Sequence, residues 1–456
     1  AAHYRDHYAS PIQWLAENKE RFEASGEIFT NQGSQPLSRW TYQFHPAGYA
    51  ALRKRSASPP LTEDNSCYSL KGAEYGVYKD QACSIRTGTL ITDSSGNSGA
   101  VEVDPGKYYI KETKASPGYA LDPTVYTVTV KENKTTTLTV KEIPLNHPIR
   151  ILLKKTDSET SGGSPQGGAS LSGAEFTVRF YGGLYSSDPA EKGAKPLRTW
   201  VMKTDSGGNI TFDAASRVSG DQFYLSDGKA VLPLGTVTIQ ETKAPEGYLP
   251  NDRVFTQQIT AHENSITAYD QPDIPEDVIR GGVRIEKWDS ETDSRKAQGG
   301  ATLQGAEFRI ISLNDAPVTV NGISYVKNDT VASLTTDKTG AAWTSADLLP
   351  YGAYRVEEIE APEGYNPSGT LSREFHIRQD GKTVNLSTAS TAIKNEIIRG
   401  DIQIIKFSEP LDEEADRMSP LEGIVFELTS KTTGEVFRIT TDENGCASTT
   451  QLQISS

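Results

Sequence analysis

The sequence predicts an all-β chain, built as a row of small antiparallel sandwiches with a short helical segment in front. Three observations predict it. Two phrases recur in the same order along the chain. Short runs alternate apolar and polar residues, as at 124–130. Gly, Pro, Asp and Asn separate those runs at close spacing, as in sandwich folds.

The first phrase is Gly72-Ala73-Glu74-Tyr75, repeated as Gly173-Ala174-Glu175-Phe176 and Gly305-Ala306-Glu307-Phe308. A weaker copy is Glu422-Gly423-Ile424-Val425-Phe426. The second phrase is Lys111-Glu112-Thr113-Lys114-Ala115-Ser116-Pro117-Gly118-Tyr119. It returns at 240–248 and at 357–365. Between the two phrases sits a turn signal, Thr92-Asp93, Thr204-Asp205, Thr336-Asp337 or Thr441-Asp442, each followed closely by glycine. Three complete units and the start of a fourth result.

In chain order, residues 1–45 read as the tail of a preceding domain. They hold one helix, from Pro11 to about Phe22, capped by Ser10. Modules follow at 46–146, 147–275 and 276–399, with a truncated fourth at 400–456. The joints are short and carry proline or glycine, which favours a stiff string over a closed globule. The start at Ala1 and the stop at Ser456 suggest a fragment of a longer protein.

Composition removes several classes of function. A length of 456 residues suits about three domains. The net charge, 46 − 60 = −14, repels phosphate backbones, and Arg53-Lys54-Arg55 is too short to form a basic patch, so no nucleic-acid partner is expected. No run of about 18 apolar residues exists to span a membrane. Three cysteines make neither a disulfide scaffold nor a zinc site. His262-Glu263 lacks a second histidine at zincin spacing, and no Gly-x-Ser-x-Gly elbow occurs. The Asp-x-x-Gly turns lack the ligand series of a calcium loop, so neither metal nor cofactor is expected.

Strand periodicity places polar groups in each core, because side chains two apart share a face. Val283, Ile285 and Lys287 align, as do Ile151, Leu153 and Lys155; Ala50, Leu52 and Lys54; and Ile402, Ile404 and Lys406. Glu112 continues the face of Tyr108 and Ile110, Glu241 that of Val237 and Ile239, and Glu358 that of Tyr354 and Val356. A third inward group closes each complete unit: Glu142 after Leu138 and Val140, Asp270 after Ile266 and Ala268, and Asn395 after Ile393. Burial lowers a lysine pKa and raises a glutamate pKa, so both can be neutral. A neutral amine is a nucleophile, and a protonated carboxyl can shuttle protons. The expected product is a Lys–Asn or Lys–Asp amide.

The order Lys-x-Asp, Gly-Ala-Glu-Phe, Glu-Thr-Lys-Ala-Pro-Glu-Gly-Tyr resembles the prealbumin-like repeats of Gram-positive surface proteins, the SpaA-type pilin modules and the B-type repeats of the collagen adhesin. The resemblance covers roughly residues 46–456. It implies prealbumin-like (Ig-like) sandwiches in an extracellular, cell-wall-attached stalk with self-formed isopeptide bonds. Carried onto this sequence, it assigns Lys155, Glu241 and Asp270 to one triad and Lys287, Glu358 and Asn395 to another, the glutamates acting as proton shuttles.

The first unit departs from the pattern. Lys54 is followed by Arg55-Ser56, and Glu142 stands at the acceptor place beside Glu112. Lys406 has no glutamate or acceptor within the sequence. Cys67 and Cys83 flank a predicted strand and are expected to form a disulfide, as an extracellular setting permits. A peptidoglycan anchor and a host-matrix or glycan-binding domain are expected outside this stretch. Two other functions remain open: ligand binding by the sandwiches themselves, and service as the spacer of a secreted enzyme.

Overall fold

The computed structural model describes residues 22–29, 37–160, 162–262, 265–266, 271–367, 371–409, 418–431, 434–450 and 452–453. They are almost entirely β. Of the predicted helix only Phe22 lies among them, and it opens a strand, Phe22–Phe29, paired antiparallel with Leu37–Phe44. Among the described residues there are two short helical turns, Pro59–Thr62, which buries Leu61, and Pro189–Lys192.

In the first sandwich a sheet of Val101–Val103, Gly48–Ser56 and Thr135–Glu142 packs on a sheet of Arg86–Ile91, Glu74–Tyr78, Gly106–Lys114 and Val125–Val130. The core between them includes Leu52, Tyr75, Val77 and Ile110. The second sandwich repeats the plan. Asn209–Thr211, Ile151–Asp157 and Asp273–Glu276 face five strands centred on Glu175–Tyr181 and Gly235–Lys243. In the third, strands gather around Arg280–Asp289, opposite a sheet of Thr330–Thr335, Glu307–Ser312, Gly352–Glu360 and Ser372–Ile377.

One feature of topology sets up the chemistry. In each complete module the first strand pairs with the last in parallel: Lys54 opposite Val140, Lys155 opposite Ile274, and Lys287 opposite Ile393. Parallel neighbours cannot be joined by a hairpin, so the chain winds through the whole module before returning. Tension that enters the first strand at its start and leaves the last at its end loads their shared hydrogen bonds in shear.

The turn signals are hairpins that hold the lysine strands. In each, one aspartate oxygen caps two backbone amides: Asp93 accepts from Ser95 and Asn97, and Asp337 from Thr339 and Ala341. The glycine that ends each turn presents its carbonyl to the lysine amide, at 2.6 Å for Gly96–Lys54, 2.7 Å for Gly208–Lys155 and 2.7 Å for Gly340–Lys287. Gly96 has φ +75, and a Cβ there would lie 2.4 Å from the Lys54 carbonyl oxygen. Gly96→Ala is therefore expected to destabilise the first module by about 1–3 kcal/mol, read as a lowered unfolding midpoint.

Two expectations of alternation are corrected. A bulge between Ile151 and Leu153 inserts one residue into the pairing with Asn209–Thr211, so Leu152 and Leu153 are buried and Ile151 is exposed. In the fourth unit Ile402 and Lys406 are exposed. Among the described residues, Gln403–Ile405 pairs only with Cys446–Ser448, and of the sheet that covers the lysine in the other modules only one hairpin has a counterpart, Val425–Thr429 with Val436–Thr440.

Candidate functional site

Each complete module buries one lysine at its centre. Lys54, Lys155 and Lys287 are all 0% exposed. An aromatic ring faces each amine: Tyr119 at 5.1 Å from Lys54, Phe176 at 5.2 Å from Lys155, and Phe308 at 6.0 Å from Lys287. The second sheet supplies the predicted glutamate, because strand alternation aims Glu112, Glu241 and Glu358 into the core. Lys54 Nζ lies 3.0 Å from Glu112 Oε1, Lys287 Nζ lies 2.6 Å from Glu358 Oε1, and Lys155 meets Glu241 directly. The other oxygen of Glu112 accepts from the Asp122 amide at 2.7 Å, and that of Glu241 from the Asn251 amide at 2.8 Å.

The third group differs between modules. In the third, Lys287 hydrogen-bonds to Asn395 Oδ1, while Asn395 Nδ2 donates to the Asn366 carbonyl at 2.9 Å. Asn395 is 0% exposed. In the first, Glu142 Oε2 lies 3.9 Å from Lys54, and its other oxygen accepts from the Tyr75 hydroxyl at 2.7 Å. In the second, Asp270 lies outside the described residues. The closing-strand group that reaches Lys155 is Glu276, at 2.7 Å.

Sequence reading missed Glu276, yet two signals point to it. The distance from acceptor to the next module's lysine is 155 − 142 = 13 in the first module and 406 − 395 = 11 in the third. From Glu276 it is 287 − 276 = 11, whereas from Asp270 it is 17. The buried tyrosine of the second phrase bridges the residue two beyond the acceptor place: Tyr119 with Pro144, Tyr248 with Val278, and Tyr365 with Ile397. Pro275 hid the strand, since proline argues against a central strand when read alone.

Charge separates the sites. Lys287 faces one carboxylate and one neutral amide. Burial pushes its pKa down to about 8, against the opposing pull of Glu358. Glu276 shares its lysine with a second carboxylate, and burial pushes its pKa up to about 6, with Lys155 pulling the other way. Burial likewise raises Glu142, partly offset by its bond from Tyr75. The third module thus combines a deprotonatable amine, a carboxylate beside it and an amide carbonyl in contact with that amine.

The expected disulfide does not form: Cys67 and Cys83 are free thiols. The strand Glu74–Tyr78 lies between them and by itself spans roughly 15 Å. Cys83 sits in the turn at its far end, while the Cys67 segment is tied to the opposite end, where Ser69 bonds to Pro117. A disulfide needs a Cα separation near 6 Å. Cys446 is also free. Among the described residues, no group of three His, Cys, Asp or Glu side chains could hold a metal ion, and no helix is long and apolar enough to cross a membrane.

The family model described as SpaA, a prealbumin-like fold domain, matches residues 62–144, 150–272 and 281–391. No curated protein sequence matches the chain. Among solved structures, the Bacillus anthracis TIE protein is similar at 21% identity and a TM-score of 0.47, over 82% of this chain. This chain spans 58% of the length of that protein. BcpA, the major pilin subunit of Bacillus cereus, matches at 17% identity and a TM-score of 0.29, over 77% of this chain and 100% of its own. A streptococcal ancillary pilin matches at 17% identity and a TM-score of 0.25, over 77% and 99% of the two chains.

Proposed function

Because the chain belongs to the SpaA prealbumin-like family, we propose that it is a structural stalk of a bacterial surface adhesin or pilin-like protein, locked by an intramolecular Lys287–Asn395 isopeptide bond. The observation that carries the bond is the fully buried triad of Lys287, Glu358 and Asn395, which joins the first strand of a module to its last. Glu358 takes a proton from Lys287. The neutral amine attacks the Asn395 side-chain carbonyl carbon, the attacking nitrogen gives up a second proton, and Glu358 relays both protons to the departing nitrogen. One C–N bond forms, one breaks, and ammonia leaves in its protonated form, so the chain is lighter by one ammonia. This is a single turnover within the chain, so the protein is not read as an enzyme.

In the first two modules the lysines are read as held by charge, Lys54 between Glu112 and Glu142, and Lys155 between Glu241 and Glu276. The stalk is read as lying outside the cell, attached to peptidoglycan by an anchor beyond this stretch. Its host-matrix or glycan contacts are assigned to other domains. Exposed rings support a spacer over a ligand-binding sandwich. Trp200 is buried in the second core, Trp343 is 54% exposed in the third module, and Phe44 and Tyr49 are exposed in other parts of the chain.

The test is the intact mass of the reduced, denatured protein. One ammonia below the sequence mass is expected. The bare sequence mass removes the bond. A further water lost means that Lys54 or Lys155 has joined a carboxylate, and fragmentation then tells Asp270 from Glu276. The pH dependence has a definite sign. Transfer of the Lys287 proton to Glu358 leaves the proton count of the pair unchanged, so bond formation in freshly synthesised chain is expected to be level with pH just below about 8 and to fall above it, where the pair has lost the proton that Glu358 returns. A rate that keeps rising through that pH takes the proton shuttle away from Glu358.

A further inference from the structure

Counting from the buried lysines reveals a second constellation at the module joints. Two residues beyond the lysine is a buried aspartate, Asp157 or Asp289. Four beyond is a glutamate, Glu159 (155 + 4) or Glu291 (287 + 4). Eleven beyond is a glutamine, Gln166 or Gln298. Four residues past the acceptor place comes an arginine, Arg280 (276 + 4) or Arg399 (395 + 4), which opens the next module.

These groups meet at both joints. Gln166 Nε2 donates to Asp157 Oδ2 at 3.1 Å and to Glu159 Oε2 at 3.0 Å, and Tyr248 donates to the same aspartate at 2.8 Å. Arg280 of the next module reaches Glu159 Oε2 at 2.5 Å. At the following joint Gln298 donates to Asp289 and Glu291, Tyr365 donates to Asp289, and Arg399 forks onto both oxygens of Glu291 at 3.1 and 2.7 Å.

We propose that the aspartate, glutamate and glutamine form a docking socket whose partner is the arginine of a succeeding module of the same kind, and that the socket holds the two modules at a fixed angle. The proposal rests on the reading of the chain as a stalk of modules. An isolated exposed ion pair contributes little, but the Arg280 side chain is only 19% exposed and is fixed on three sides. Its guanidinium also donates to the carbonyls of Leu348 at 2.7 Å and Thr319 at 2.8 Å. Gln166, itself 0% exposed, accepts from the Thr319 amide at 3.0 Å, so one socket residue grips the same loop as the arginine. The socket lies at and just past the end of the lysine strand of one module, and Arg280 opens the lysine strand of the next, four residues past the closing strand. Their pairing therefore ties the two modules together just beyond the triad.

The first joint supplies a contrast within the molecule. There the corresponding positions hold Ser56, Ser58 and Asn146. The socket is missing there, and an apolar seam is present, as it is at the second joint in Leu171, Tyr248, Val278 and Tyr351: Leu61, Tyr68, Tyr119 and Leu145 join the core of the second module, and Tyr68 bridges Leu145 and Leu234 through its hydroxyl. Asn65, at the glutamine's place (54 + 11), still reaches across, donating to the Leu234 carbonyl at 2.8 Å.

The test is a distance distribution by pulsed electron resonance on the full chain, with Cys67, Cys83 and Cys446 replaced by serine. Labels at Lys192→Cys and Lys382→Cys span the second joint, and labels at Lys131→Cys and Lys192→Cys span the first. Arg280→Ala and Glu159→Gln, which keeps the side-chain shape, are each expected to widen the second-joint distribution about twofold or more, since loosely joined domains move. High salt is expected to widen that distribution and leave the first joint unchanged. Unchanged widths in both variants, or equal salt responses at the two joints, overturn the socket. The mass measurement is independent of this outcome, so failure of the socket and failure of the isopeptide bond are distinguishable.

Discussion

Glu358→Gln is expected to return the intact mass to that of the bare sequence and to lower the unfolding free energy of the third module by about 4–5 kcal/mol. The size follows from the loop that the bond closes, 395 − 287 = 108 residues. On the chain-entropy account of cross-links, a loop of that length restricts the unfolded chain by about that amount. Glutamine keeps the volume of glutamate, so the core of Phe308, Tyr354 and Val356 stays filled and the loss reports the bond and the lost charge. Protease resistance of the module is expected to fall with it. A variant mass still one ammonia short takes the proton shuttle away from Glu358.

Glu276→Asn is expected to do the reverse in the second module. Glu276 lies opposite Asp157, two past the lysine, and Asn395 lies opposite Asp289, also two past the lysine. The substitution places the third module's acceptor in the same register, with Glu241 already at Lys155. It also removes a carboxyl that burial raises to about 6. The expected result is a mass lower by one further ammonia, with a digest that yields a peptide cross-linked between Lys155 and the substituted position. Closure of a loop of 276 − 155 = 121 residues is expected to stabilise the module by about 4–5 kcal/mol. An unchanged ammonia count means that register and charge do not suffice, and that the shorter side chain fails to reach the amine.

Repeats and alternation made much of this molecule legible in advance. The period-two pattern identified Lys54, Lys155 and Lys287 and the three glutamates that meet them, because only one strand face can enter a core. The threonine–aspartate turns and their glycines were equally readable, since positive φ and amide capping each need particular residues. Asn395 followed from the same alternation. Glu276 did not, because its strand is four residues long and contains Pro275, which leaves too little pattern to read. Ile151 was misjudged because a bulge leaves no mark in hydropathy. The disulfide expectation failed because proximity in sequence says nothing about which ends of a hairpin two thiols occupy.

By itself, then, the sequence determined the repeat, the all-β class and which polar side chains enter each core, since these depend on residue type and short-range periodicity. Tertiary structure decided which side chains meet. The parallel pairing of first and last strands sets Lys287 on Asn395 and Lys155 beside Glu276 across more than 100 residues. Winding of the whole module also brings Arg280 onto Glu159 at the joint. Those partners depend on strand register and chain path, which act over distances at which local pattern carries no information.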